Sequence, residues 1–433
     1  MELSTKRSRP LLGELGLPGD KAVSHLALVL GALGEGTTGI TGLGEGLDIE
    51  ATKNCLLKLG VHMAKHKVRE HEIIAVQGRG PRSLAATDDW LDCEDSVATL
   101  GLLMGVLAGH AMTSKLTGGA DLRRVPLETI AGALRRMGAK VAFERGESAP
   151  LKIQGAALKA AEVALPAADR QAKGAVLLAG LLAEGVTSVD EPSMSWDHAE
   201  RMLRHFGVVL DRDGSRSRVT GGARPKSTPV RVPGDMHLAA YWVVAATIVP
   251  ESDLTLTEIG ANPCRTAFLD ILDRMGASIE RQPWGDNIIG APEPVGDLRV
   301  KAAALKATDV SAAELARAIN ELPVLAVAAT QAEGRTRFKG LKGLGREAEA
   351  LAKAAAKLVK AAGGKASVRA GDMTVTGPTP LAGIRMEAGS DPRTAMAALV
   401  AGLVAEGELN VADGRCVVNA YPSFYSALRL MCL

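Results

Sequence analysis

An apolar helix, a short turn and a β-branched strand recur six times along the 433 residues, at intervals of about seventy, and few folds accommodate such a pattern. The copies run from Leu26 to Ile40 around Gly34-Glu35-Gly36, from Leu102 to Leu116 around Ala108-Gly109, and from Val176 to Val189 around Ala183-Glu184-Gly185. Three more run from Ala239 to Leu256 around Pro250-Glu251, from Val324 to Phe338 around Ala332-Glu333-Gly334, and from Ala395 to Val411 around Ala405-Glu406-Gly407. Every copy except the last is followed by a second amphipathic helix with a glycine stop: Leu59-Gly60, Met137-Gly138, Phe206-Gly207, Met275-Gly276 and Ala362-Gly363. An alternating strand such as Val141-Ala142-Phe143 comes next. A solenoid is the competing architecture. These units are longer than most solenoid repeats and differ most at their helix starts, so the expectation is an α/β protein of two three-unit lobes facing one another across a cleft. The segment from Gly222 to Val232, broken by Pro225 and Pro229, suits the crossing between them.

The helix starts are where chemistry is expected. In Leu17-Pro18-Gly19-Asp20-Lys21-Ala22-Val23-Ser24-His25, Pro-Gly makes a turn, Asp20 is a good N-cap, and Lys21 falls in the first helical turn beside free N–H groups. A lysine there makes an anion site, although an ordinary capped core helix has the same local sequence. Lys21 and His25, at i and i+4, share a face. The 51 basic and 49 acidic residues nearly cancel, which gives no reason to expect nucleic acid or a membrane surface as partner. No apolar run is long enough to span a bilayer, and Met1 to Arg7 has no signal-peptide core after it, so a cytoplasmic protein is expected. Five scattered cysteines without metal spacing read as reduced packing residues, and neither metal nor cofactor is expected.

The motifs in order are Pro18-Gly19-Asp20-Lys21 with Ser24-His25, Leu122-Arg123-Arg124-Val125-Pro126, Gln171-Ala172-Lys173, and Glu191-Pro192 with Asp197-His198. They continue with Val232-Pro233-Gly234-Asp235, Asn262-Pro263-Cys264-Arg265-Thr266, Glu321-Leu322-Pro323 and Asp391-Pro392-Arg393-Thr394. In this set the chain resembles the 5-enolpyruvylshikimate-3-phosphate synthases, the enolpyruvyl (carboxyvinyl) transferases, from about residue 11 onwards. The resemblance implies two lobes of three βαβαββ units, residues 18–231 forming one and residues 1–17 with 232–433 the other, closing over substrates. It also implies transfer of the enolpyruvyl group of phosphoenolpyruvate to a hydroxyl of shikimate 3-phosphate, without metal or organic cofactor, by a protein expected to be a monomer. The charged tetrahedral adduct would lie among lysines, arginines and two carboxylates.

Against the family pattern, Lys21, Ser24 and His25 stand, while Ala22 replaces a serine and Leu26 an arginine. The second unit reads Asp95-Ser96-Val97-Ala98-Thr99-Leu100-Gly101, with Val97 for a glycine that admits phosphoenolpyruvate and Gly101 for an arginine that grips its carboxylate. Asp169 and Arg170 stand for serines ahead of a retained Gln171, and Trp196 for an arginine. Asn320 stands where the family has a general-base aspartate, and an amide cannot take a proton near neutral pH. Arg346-Glu347-Ala348-Glu349-Ala350 keeps the acid/base glutamate as Glu347 and loses an arginine at Ala350. Arg393 is kept, Pro392 replaces a histidine, and Asn419 stands for a C-terminal lysine.

Four cations gone and two acids added, less one unit each for Arg170 and Asn320, leave the site about four units more negative than the family's. Each lost charge-assisted contact costs roughly 1.5 to 3 kcal/mol, so the usual reaction is expected to be impaired. The residues expected to line the substrate site are Lys21, Ser24, His25, Asp95, Ser96, Arg124, Asp169, Arg170, Gln171, Trp196, Arg346, Arg393 and Asn419; those with catalytic places are Lys21, Glu347, His237 and Asn320. Each has an ordinary reading: Asp169 and Arg170 pair with each other, Trp196 fills space, His237 is a solvent-exposed helix-start histidine, and Glu94-Asp95 near Cys93 is an acidic loop. Three functions follow. One is a divergent enzyme acting on a cyclitol-like or less anionic molecule, which the charged replacements favour; another is a non-catalytic binding relative; the third is a genuine synthase with compensating groups.

Overall fold

The computed structural model describes residues 1–68, 71–283, 290–387 and 389–432. The chain divides into two compact units, one of Pro18–Val232 with Asn287–Glu293 and the other of Met1–Leu17, Pro233–Asp286 and Pro294–Leu433. The first is called the N-unit below and the second the C-unit.

The N-unit holds three four-stranded sheets built to one plan. In the sheet of Trp90–Asp92, Thr113–Thr117, Leu151–Gln154 and Lys140–Phe143, the first pair is parallel and the next two are antiparallel. The sheet of Glu162–Ala164, Val186–Asp190, Arg216–Thr220 and Leu210–Asp213 repeats the pattern. In the remaining sheet the parallel edge strand, Val230–Arg231, comes from the end of the segment and pairs with Glu35–Thr41. The C-unit repeats the plan twice, with Leu12–Gly16 from the chain's start as the parallel edge of Asp253–Gly260. Its last sheet, Leu3–Thr5, Leu409–Val411 and Arg385–Met386, has three strands because no second hairpin follows the sixth helix.

Each repeat carries one almost fully buried helix: Lys21–Leu33, Val97–Ala108 and Arg170–Leu181 in the N-unit, and Met236–Ile248, Leu322–Gln331 and Pro392–Gly402 in the C-unit. These are rich in Ala, Val and Leu all round, the composition of a helix packed on every side. Gly105 lets two of them touch, since a Cβ there would lie within van der Waals overlap of the Ala175 carbonyl. The amphipathic helices, such as Glu128–Arg136 and Arg346–Ala361, cover the outside. Among the described residues no helix is long and apolar enough to cross a membrane.

Five of the six buried helices start under a side-chain cap. Asp20 accepts from Val23 N–H, Ser96 from Thr99, Asp169 from Gln171 and Ala172, Asp235 from His237 and Asp391 from Arg393. The positive helix ends are thus partly satisfied by carboxylates of the chain itself.

Candidate active site

In the N-unit the first two buried helix starts are joined by one polar network. Lys21 Nζ lies 3.0 Å from Asp48 Oδ1, and His25 Nε2 lies 3.9 Å from Asp48 Oδ2. Burial alone would raise the Asp48 carboxyl; His25 and Lys21 outweigh it and hold the group at about 2. His25 Nδ1 meets Thr52 Oγ1 at 2.7 Å, Thr52 Oγ1 meets Thr99 Oγ1 at 2.7 Å, and Thr99 Oγ1 is 2.8 Å from Ser96 Oγ. Ser24 is fully buried; its hydroxyl donates to Asp20 O and accepts from Gly44 N–H. Asp95 Oδ1 accepts from the backbone N–H groups of Asp121 and Leu122, both at 3.1 Å, and so fixes the loop before Arg124. Arg124 is exposed, 3.3 Å from Asp121.

The third helix start answers the question left by Asp169 and Arg170. The Asp169 carboxylate caps its own helix, at 2.9 Å from Gln171 N and 3.0 Å from Ala172 N. The Arg170 guanidinium stacks over the Trp196 ring, 4.0 Å from its centroid. Arg170, Gln171, Trp196, His25 and His198 share a small hollow of about 40 Å³ with Ala22, Leu26, Ala98, Leu102, Gly174 and Ala199. The hollow has apolar walls and a stacked cation, and Leu26 contributes to the wall. Stacking on an indole desolvates one face of a guanidinium.

The C-unit gathers charge. Arg393 lies 2.9 Å from Asp391 through Nε, and its Nη1 donates to Asn320 Oδ1 at 3.0 Å and to Glu347 Oε1 at 3.2 Å. Burial acts to lower the Arg393 pKa, but Asp391 and Glu347 win and raise it, so it stays a cation. His237 is not the solvent-exposed histidine of the simple reading: its Nδ1 is 2.7 Å from Glu321 Oε1 and Tyr241 stands edge-on to it. Burial, with Asp391 and Glu321 nearby, pushes the Tyr241 hydroxyl well up, so it stays protonated. Beneath, Asp235 and Arg265 form a buried pair at 3.1 Å. Arg346 and Asn419 are exposed, and Glu347 shows 81% of its side chain to solvent. Among the described residues no group of three or more His, Cys, Asp or Glu is placed to hold a metal ion.

The structure thus joins Lys21, His25 and Ser96 in one network and Asn320, Glu347 and Arg393 in another. Sequence reading missed Asp48, Thr52 and Thr99, which complete the first, and Glu321 as the partner of His237. Asp48 lies in a helix's first turn, where an acid is ordinary, so nothing local singled it out.

Comparison with known proteins matches residues 5–428 to the family model of EPSP synthase (3-phosphoshikimate 1-carboxyvinyltransferase). The chain belongs to that family. A relative named 3-phosphoshikimate 1-carboxyvinyltransferase from Geobacter sulfurreducens is 39% identical over 430 residues, covering 99% of this chain and 98% of its own. Another of that name, from Gloeobacter violaceus, is 42% identical over 424 residues, covering 97% and 96%. The solved EPSP synthase of Acinetobacter baumannii superposes with a TM-score of 0.89 at 33% identity, over 99% of this chain and 98% of that one. The enolpyruvyl transferase NikO of Streptomyces tendae, at 18% identity and a TM-score of 0.77 over 99% and 97%, shares the fold. The chain therefore has the two-lobed, mixed α/β EPSP synthase fold. Identity of this extent favours retention of the family reaction over the divergent reading drawn from the charge count.

Proposed function

We propose that this chain is a 3-phosphoshikimate 1-carboxyvinyltransferase with a rebuilt site, joining the enolpyruvyl group of phosphoenolpyruvate to a hydroxyl of shikimate 3-phosphate and releasing phosphate. The observation that carries the reading is the end-to-end identity of 39% and 42% to proteins named for that reaction. In the reaction the hydroxyl gives up its proton as its oxygen bonds to C2 of phosphoenolpyruvate, whose methylene carbon gains a proton; loss of phosphate from C2 and of a proton from the resulting methyl group restores the double bond. Glu347, open to solvent and 3.2 Å from Arg393, has the placement of an acid/base group. Lys21, Arg170 and Arg393 are the cations assigned to the anionic groups, and the His237–Glu321 pair takes the second proton-handling place left by Asn320.

A second reading, an altered and less anionic acceptor, is favoured by one observation: Leu26, Ala22, Ala98 and Leu102 line the hollow beside Arg170 and Trp196. A phosphate-release assay with phosphoenolpyruvate and shikimate 3-phosphate, run beside calorimetric titration of each, separates the two. Turnover lost in Glu347→Gln supports the first. Neither release nor binding sends the acceptor search to neutral molecules, and binding without turnover marks a non-catalytic relative.

A further inference from the structure

Deep in the N-unit, Lys173 Nζ lies 2.9 Å from Glu191 Oε2 and 2.9 Å from Glu200 Oε1, with each side chain 1% exposed. Glu191 also accepts two backbone hydrogen bonds, from Asp169 N–H at 3.1 Å and from Ser195 N–H at 3.3 Å. Glu200 Oε1 accepts from Ser217 Oγ at 3.0 Å, while its Oε2 has no hydrogen-bond partner among the described residues. A buried ammonium between two carboxylates is a poor source of stability, because desolvation consumes most of the Coulomb gain. It does fix direction, since each buried charge must keep its partners.

The two N–H groups that Glu191 grips belong to the residues directly before Arg170 and Trp196. One carboxylate therefore holds the backbone on both sides of the stack, across 26 positions of sequence from 170 to 196. We propose that Glu191, clamped by Lys173, is a positioning residue that sets the Arg170–Trp196 stack in the hollow for an anionic substrate group. This rests on the reading that the hollow belongs to the substrate site. A core ion pair with no such role would alter stability alone.

The test is the indole N–H spectrum of the full chain by amide–proton NMR, with no ligand added. The four tryptophans give four signals, and Trp196→Phe identifies one of them. Glu191→Gln is expected to move the Trp196 signal in the direction seen for Arg170→Gln, with the Trp90 and Trp242 signals in place. With shikimate 3-phosphate the same variant should raise KM by about tenfold to a hundredfold and change kcat less, as misplacement of a binding group does. If Glu191→Gln does not fold, the neutral replacement Lys173→Met/Glu191→Gln/Glu200→Gln takes its place with the same expectation. A Trp196 signal that stays put in a folded variant overturns the proposal. The spectrum needs no turnover, so an inactive wild-type protein would defeat the proposed reaction and leave this result to be judged separately.

Discussion

The helix starts of the N-unit and the C-unit descend from the same repeat but solve opposite problems. In the N-unit the charges are consumed internally: Lys21 by Asp48, Asp169 by its own helix, Lys173 by two glutamates, leaving a hollow with apolar walls and one stacked guanidinium. In the C-unit, Asp235, Glu321, Glu347 and Asp391 face Arg265, Arg393 and His237, and of these only Glu347 is open to water. On the proposed reading, shape recognition falls to the first unit and proton handling to the second. In the N-unit, where Leu26 and Gly101 stand at positions the resemblance gives to arginines, nearby acids serve as caps and clamps.

The sharpest way to break the contrast is at the buried charges. Lys173→Met strands two carboxylates and should cost about 3 to 5 kcal/mol, read as a fall in the urea midpoint of the transition that reports the N-unit. Arg393→Met, at a half-open site, should cost no more than about 1.5 to 3 kcal/mol. Equal losses would mean that the two units are built alike. Next in size, Glu347→Gln should lower phosphate release by about a hundredfold or more, whereas Asn320→Asp, which places a base 3.0 Å from Arg393, should raise it. No rise would show that His237 with Glu321 already fills that place.

The pair of Lys21 with Asp48 has a pH signature. Asp48 sits at about 2 in the folded chain against 3.8 for the free group, so its stabilisation is present above pH 4 and fades as pH falls towards 2. Thermal melts of the wild type and Asp48→Asn should differ at pH 7 and converge near pH 2. The smallest effect lies within one helix. At Gly101 a Cβ would meet Ile130 and Gln171 at 3.5 and 3.7 Å, ordinary contact, so Gly101→Ala should stabilise by about 0.5 to 1 kcal/mol. At Gly105 the Ala175 backbone blocks the same change, and Gly105→Ala should destabilise. Matching signs at the two glycines would deny that helix packing separates them.

Much of this fold could be read from the chain, because its repeats are marked by local signals: an acid or serine at the helix start, glycine at the stop, β-branched strands between. Asp20 caps as its position requires, and Ser96, Asp169 and Asp235 repeat that arrangement at three other helix starts in the structure. The network around Lys21 could not be read, since Asp48, Thr52 and Thr99 reach it from two other helices and each suits an ordinary helix on its own. The same is true of Glu321, which neighbours Asn320 in sequence but meets His237 across 84 positions. Charge counting by position also misled: it treated Asp169 as an added negative charge facing substrate, whereas the structure turns it onto backbone N–H groups.

The central claim is tested most directly by phosphorus NMR of the full chain mixed with phosphoenolpyruvate and shikimate 3-phosphate. The account predicts that an inorganic phosphate signal grows as the phosphoenolpyruvate signal falls, in equal amounts, with the shikimate 3-phosphate signal shifting and Glu347→Gln abolishing all three changes. Two unchanged substrate signals under saturating conditions, from a folded protein, would contradict it.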